Sequence, residues 1–332
     1  MDEETVTAWL RKNNKKTQME IIILTDGCRQ KSPCVATIGF FDGVHRGHRF
    51  LIDRVVKEAK SRGIGSTVIT FDRHPRQVLG SDYLPRLLST NDEKTALLSE
   101  TGIERCAVLP FSEEMAQLSA HDFMQDILKE RLGVEVLVIG YDNRFGHNRS
   151  EGFDDYVRYG REMGIEVLPS QAFMLNGVGV SSSVVRSFIN KGEVEMAASC
   201  LGYHYALSGI VVKGHRIGHE LGFPTANIEP ENKQKIIPAN GAYAVRVRVE
   251  GVQGTMPAMM NIGTRPTFNG DIQTLETHIL DFDNNIYGRR INVAFIHKLR
   301  EEKKFSSKEE LKEQLEKDAI MVKEQFEKDI KE

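Results

Sequence analysis

Six short runs in the first half of this 332-residue chain read as strands apolar on both faces. They are "IIIL" (21–24), "VATIGF" (35–40), "STVITF" (66–71), "RCAVLPF" (105–111), "EVLVIG" (135–140) and "IEVLPS" (165–170). The stretches between most of them, 46–62, 91–100, 119–132 and 152–163, carry the polar-faced periodicity of helices. Continuous apolar strands alternating with helices predict a parallel, doubly wound α/β sheet, because only a sheet covered on both sides hides such strands. Ligands of these sheets sit beyond the carboxyl ends of the strands. The polar clusters fall there: "FDGVHRGH" after one strand, "DRHPR" after the next and "YDNRFGHNR" after a third. All three are expected on one rim.

Near residue 200 the pattern changes. Residues 183–202 read as one or two helices, and short β runs follow at 205–214, 242–250, 255–263, 274–282 and 290–299. In "AYAVRVRVE", Tyr243, Val245, Val247 and Val249 face one way, with Arg246, Arg248 and Glu250 on the other side. Several short strands separated by turns predict a small β-barrel. A terminal helix follows, with Leu311, Leu315, Ala319, Val322, Phe326 and Ile330 along one face and Ser306 with Glu309 in the spacing of a capping box. The expected domains are 19–203 and 204–332, with 1–18 a polar extension and Met19 placed as a start would be.

A formal net charge of −3 gives no sign of a nucleic-acid or membrane partner. No apolar run reaches the ~18 residues of a membrane span, and the first residues are too polar for a secretory signal. Cys28, Cys34, Cys106 and Cys200 lack C-x-x-C spacing and read as reduced thiols of a cytoplasmic protein.

In "ATIGFFDGVHRGHRF" (36–50), a strand, a glycine turn and a helix start follow one another. Free N–H groups and the helix dipole there favour an anion, and glycines let backbone approach it. His45 and His48, three apart, share a helix face. Neutral imidazoles can each donate a hydrogen bond to phosphoryl oxygen. Zinc would need a third ligand and usually a fourth, and no cysteine is suitably spaced. "GFFDGVHRGHRFL" resembles the signature of the nucleotidyltransferase superfamily. The resemblance implies that Gly39, Phe40, Gly43, His45, Gly47 and His48 bind ATP, the two histidines stabilising charge as the α-phosphate is substituted and the small Gly47 leaving room for the base. "VSSSVVRSF" is similar to the superfamily's serine-helix element, which places Ser181, Ser182, Ser183 and Arg186 on phosphates; by itself it reads as an N-cap.

"SGIVVKGHRIGHELGFPTANI" (208–228) and "LETHILDFDNNIYGRRINVAFIHKLREEKKF" (275–305) resemble the riboflavin kinase domain. With the first motif, roughly residues 20–330 resemble the prokaryotic bifunctional riboflavin kinase/FAD synthetase family. On their own residues, Gly214, Gly218 and Gly222 suit a flap whose amides approach phosphate. Thr225 and Asn227 are hard oxygen ligands suited to Mg²⁺ on a nucleotide, although "FPTAN" is also good turn composition. Glu276 alternates with His278 and Leu280 opposite Leu275, Thr277 and Ile279; we expect it on the inward face of the barrel, where a carboxylate needs a task or a partner, although on its own residues a solvent-facing glutamate of an edge strand reads as well. The resemblance makes Glu276 the base that takes the hydroxyl proton, Thr225 and Asn227 the metal ligands, and Lys213, Gly214, Gly218, Phe223, Pro224 and Arg300 part of the ATP and flavin site. On the adenylylation side it implies that Phe71, His74, Pro75, Asp142 and Phe145 bind FMN. Arg73, Asn143 and Val184 depart from the family pattern, which puts the shape of the FMN pocket in question.

The expected enzyme phosphorylates riboflavin to FMN, then adenylylates FMN to FAD with release of pyrophosphate. Its cofactor is Mg²⁺ and its co-substrate ATP. Its partners are small molecules, with no nucleic acid and no membrane, and its oligomeric state is left open, a monomer included. Two other readings stand beside it: a monofunctional cytidylyltransferase-like enzyme with a non-catalytic barrel, and a flavin or nucleotide sensor.

Overall fold

The computed structural model describes residues 19–25, 27–78, 85–141, 143–214, 221–267 and 270–331. Backbone packing divides the chain into two compact units, one of Met1–Pro85 and Ser89–Ser181, the other of Arg86–Leu88 and Ser182–Glu332.

The first unit is built on strands β1 (Glu20–Ile23), β2 (Cys34–Ile38), β3 (Gly65–Phe71), β4 (Arg105–Leu109), β5 (Val134–Ile139) and β6 (Glu166–Pro169). They form one sheet in the order β1-β4-β3-β2-β5-β6, and every pairing is parallel. The double-sided apolar runs have the cause expected of them. Along β2, Cys34, Ala36 and Ile38 enter one core while Val35 enters the other; Ile69 and Val68 of β3 divide in the same way. Helix α1 (Arg46–Arg62) buries Leu51, Ile52, Val55 and Ala59 and ends at Gly63, whose φ of 67° suits a glycine C-cap. Helix α2 (Asn91–Ser99) starts with a complete capping box between Thr90 and Glu93. The stretch 119–132 is not a single α-helix. A short turn, Ala120–Asp122, leads into α3 (Phe123–Leu132), whose hydrogen bonds have the wider π spacing. Helix α4 (Phe153–Met163) precedes β6. A small hairpin then joins β7 (Met174–Leu175) to β8 (Val178–Gly179). Asn176 and Gly177 turn it with φ of 48° and 80°, as a two-residue hairpin requires.

Strand order reverses between β2 and β5, so the switch point of the sheet lies where the signature turn leaves β2 and the loop of Asn143 leaves β5. Because the sheet is wholly parallel, the predicted polar clusters do share one rim.

In the second unit, α5 (Ser182–Lys191) and α6 (Val194–Leu201) precede a closed antiparallel barrel. Its strands are β9 (Ala206–Val212), β10 (Ala226–Pro230), β11 (Gly241–Val249), β12 (Met256–Thr267), β13 (Gly270–Ile279) and β14 (Arg290–Arg300), in the order β10-β13-β12-β11-β14-β9. Strand β10 has no counterpart among the β runs read from sequence. It is short and half polar, and its backbone groups are satisfied by the preceding strand β9 and by β13 from a distant part of the chain. Helix α7 (Lys308–Lys331) lays Leu315, Ala319 and Val322 on Ala244, Met259 and Leu280, as its apolar face predicts. Its cap is offset from the expected one. Ser307 Oγ accepts from Glu310 N (3.1 Å), and the Glu310 carboxylate accepts from Ser306 N and Oγ, at 2.9 and 2.8 Å. Ser306 and Glu309 are therefore not the capping pair.

Candidate functional site

Each unit carries one constellation. In the first, the chain leaves β2 through a turn of unusual backbone. Phe41 (φ 53°), Gly43 (φ 75°) and Val44 (φ 36°) all lie in the left-handed region, where a β-branched valine is strained. The turn is held by its surroundings. Asp42 Oδ1 accepts from Ser89 N (2.9 Å) and Ser89 Oγ (3.1 Å), and Ser89 Oγ accepts from Gly43 N (2.8 Å). Thr70 Oγ1 donates to the Phe40 carbonyl at 3.2 Å, and Asn143 Nδ2 donates to the carbonyl of Ile38. Asn143, read as a departure from the pattern, thus joins the ends of β5 and β2 at the switch point.

The turn delivers His45 to the N-cap of α1. Its Nδ1 accepts from His48 N at 3.2 Å, so Nδ1 carries no hydrogen and the neutral ring presents Nε2–H as a donor. The two imidazoles stack with centroids 3.6 Å apart, and Phe41 meets His48 edge-on at 5.0 Å. Gly47 is required by the protein itself: a Cβ there would lie 2.8 Å from the Val180 carbonyl and 3.1 Å from the His45 ring. Beyond β3, His74 meets Phe40 edge-on at 4.8 Å and its Nδ1 accepts from Arg76 N at 3.1 Å; Phe71 meets Phe111 at 5.2 Å. Pro75 opens a short helical turn, Pro75–Val78. Phe145 does not line the rim. It is buried, stacked on Tyr156 at 4.3 Å, and its backbone N–H and C=O both bond the Tyr156 hydroxyl. Asp142 and Gly218 lie outside the described residues. Ser181 ends the first unit, whereas Ser182, Ser183 and Arg186 belong to the second. There Arg186 Nε donates to the Arg86 carbonyl at 2.7 Å.

In the barrel, Glu276 is not on the inward face. Leu275, Thr277 and Ile279 fill the interior, and Thr277 pairs with Met260, itself opposite Tyr243. The other face of β13 looks outward, where α7 covers it. The reason is register: His278 lies across from Met259, and Met259 packs under Val322. On this outer face Glu276 stands directly between Asn227 of β10 and Asn261 of β12. A cavity of about 310 Å³ opens there, lined by Phe223, Thr225, Asn261, Glu276, Arg300 and Phe305 among others. Two register shifts in β11–β14 end with Arg300 opposite Ala242, aiming it at this wall.

The supports come from far along the chain. Arg300 Nε and Nη2 bond Asp318 Oδ2 at 3.0 and 2.9 Å, and Gln314 Nε2 donates to Asp318 Oδ1 at 2.8 Å. The Arg300 guanidinium also lies 5.5 Å from the Phe305 ring centroid. His278 Nδ1 donates to the Pro224 carbonyl (2.8 Å) and its ring meets Phe223 at 5.2 Å, tying "FPT" to β13. Burial lowers the His278 imidazole below its usual range, which keeps it neutral there. Lys213 is exposed, and Gly214 backs onto Asn227, whose amide a Cβ would strike. Asn261, His278 and Asp318 were missed from sequence. The alternation of β13 pointed at His278, but nothing local marks the other two.

A family model described as FAD synthetase matches residues 28–184, and one described as riboflavin kinase matches residues 201–326. The bifunctional riboflavin kinase/FMN adenylyltransferase of Escherichia coli (strain K12) is 39% identical over 293 residues, covering 88% of this chain and 93% of that protein. The protein of the same description from Bacillus subtilis (strain 168) is 33% identical over 298 residues, with 87% and 91% covered. A crystal structure described as a macrolide-efflux protein from Streptococcus pneumoniae superposes with a TM-score of 0.84 at 28% identity, covering 92% of this chain and 99% of that one. Among the described residues here, no helix is long and apolar enough to cross a membrane. The chain belongs to the bifunctional riboflavin kinase/FMN adenylyltransferase family.

Proposed function

We propose that the two reactions of this bifunctional enzyme, phosphorylation of riboflavin to FMN and adenylylation of FMN to FAD, are carried by these two constellations. By sequence, adenylylation belongs to residues 19–203 and the kinase to 204–332. The observation that carries the kinase assignment is Glu276, set between Asn227 and Asn261 on the wall of a cavity. Glu276 accepts the proton of the ribityl 5′-hydroxyl as that oxygen attacks the γ-phosphorus of ATP, and ADP leaves. The Thr225 hydroxyl and the Asn227 amide oxygen are hard donors beside Glu276. They fit Mg²⁺, which takes few protein ligands and arrives on a nucleotide, where it neutralises phosphate charge. Arg300, fixed by Asp318, offers a cation to the same cavity.

In adenylylation, an FMN phosphate oxygen attacks the α-phosphorus of ATP and pyrophosphate leaves. The nucleophile is already anionic, so no base is needed, and catalysis is positional and electrostatic. His45, through Nε2–H, and His48 donate to phosphoryl oxygens. Phe71, His74 and Pro75 serve the flavin side; Phe145 serves it only by fixing the loop after β5. For Ser181–Ser183 and Arg186 the support is the motif itself. Four free cysteines support a cytoplasmic setting. A monofunctional cytidylyltransferase-like enzyme leaves the riboflavin kinase match over residues 201–326 without a reaction, and a sensor leaves Glu276 without a task.

The test is to incubate the protein with riboflavin, ATP and Mg²⁺ and to separate riboflavin, FMN and FAD. The parent makes both products. Glu276→Gln lowers FMN formation by about 10²–10⁴ and leaves FAD formation from supplied FMN intact. His48→Ala does the reverse, lowering FAD formation by about 10²–10³. Equal loss of both activities in either folded variant refutes the two-site assignment.

A further inference from the structure

The rim of the parallel sheet holds a buried cation that neither reaction above uses. Lys94, in the first turn of α2, is 3% exposed. Its Nζ donates to the Phe71 carbonyl, 2.8 Å away at the end of β3. The same Nζ stands 4.5 Å from the centroid of Phe40 in the turn after β2, and that ring meets His74. One ammonium therefore touches both the turn that presents His45 and His48 and the loop that carries Phe71 and His74. The residues just before it bind the same two segments. Ser89 bonds Asp42 and Gly43, and Asn91 Nδ2 donates to the Asp72 carbonyl. Burying an ammonium opposes folding, and an apolar side chain of equal length would fill the space without that penalty.

We propose that Lys94 is a positioning residue for adenylyl transfer, its ammonium holding the phosphate-facing turn and the flavin-facing loop in register so that FMN meets the α-phosphorus of ATP in line. This rests on the assignment of adenylylation to the rim. Three groups face Lys94 from the elements around it: Asp42 in the turn, Asp72 after β3 and Cys106 on β4. Burial pushes the Cys106 thiol up to about 11, so it stays neutral and the two carboxylates supply the field. Burial brings the Lys94 ammonium down to about 8, against the pull of those neighbours. The sign follows. Below pH 8 the ammonium is present; as pH rises through 8 it is lost, and with it the cation–π contact and the charge-assisted hydrogen bond.

The experiment uses the full chain and measures FMN adenylylation on either side of pH 8, with riboflavin phosphorylation and thermal unfolding alongside. The parent is expected to lose adenylylation rate through pH 8 and to keep kinase rate. Lys94→Met is expected to fall by about 10²-fold in kcat, the scale of a small misplacement. It is also expected to lose the pH limb and to melt no lower than the parent. Lys94→Arg, which does not titrate, should recover part of the rate without the limb. Parent-level FAD formation by Lys94→Met overturns the proposal. So does a loss matched by a lower melting temperature and a failing kinase, which marks a merely structural lysine. If Lys94→Met does not fold, a parent profile flat through pH 8 overturns it. A parent chain that makes no FAD from FMN removes the rim assignment itself.

Discussion

At the scale of single residues, His45 does two things with one ring. Its Nδ1 caps α1, and in the adenylylation proposed above its Nε2–H donates to phosphate. The two roles separate by substitution. Asparagine keeps a capping acceptor and loses the ring; alanine loses both. A lost cap is worth about 1 kcal/mol, or about 2–4 °C in a unit of this size. His45→Asn is therefore expected to melt above His45→Ala, while both lose FAD formation to a similar degree. Calorimetry with an FMN-to-FAD assay checks this, and equal melting of the two variants would remove the cap from the account. The motif itself was readable from sequence because its residues are contiguous. Its left-handed turn was not, since Phe41 and Val44 would not adopt that backbone without Ser89 holding Asp42 and Gly43 from a separate segment.

At the scale of elements, α7 forms part of the wall of the barrel-unit cavity. Its apolar face covers Met259 and Leu280, and its one fully buried carboxylate among the described residues, Asp318, fixes Arg300. Asp318 is 2% exposed and Arg300 19%, so removing one partner strands a largely buried charge. Asp318→Asn is expected to destabilise the barrel unit by about 3 kcal/mol and to raise the KM of riboflavin phosphorylation. FAD formation from FMN should be unchanged. Denaturant unfolding and steady-state kinetics read the two effects, and an unchanged kinase in a destabilised protein would confine Asp318 to stability. The apolar stripe of α7 was legible from its helical period. The pairing with Arg300 was not, because two bulges in β11–β14 set where Arg300 emerges.

At the scale of the whole molecule, helices α5 and α6 belong by packing to the barrel unit. Glu193 and Ala239 bond to backbone of α5, and Lys298 N of β14 donates to Glu195 of α6 (3.4 Å). Val185, Ile189, Val194, Ala197 and Leu201 are buried. A fragment of residues 182–332 is expected to melt cooperatively and phosphorylate riboflavin. One of residues 204–332 should melt lower or aggregate, because the surface under those side chains is uncovered. Thermal unfolding of the two fragments decides, and equal melting would show that the helices add nothing to the barrel. The sequence alone determined the two fold classes, since apolar runs on both faces demand a covered sheet and clean alternation demands a half-covered one. It also determined the motifs to which the two reactions are assigned, which are local in the chain. Only the tertiary structure decided that Glu276 looks out toward α7, that Asn227 and Asn261 flank it, and that Lys94 joins two loops. Those facts depend on strand register, bulges and barrel closure. A shift of one residue in register turns every side chain to the other face, and no local period records which register wins.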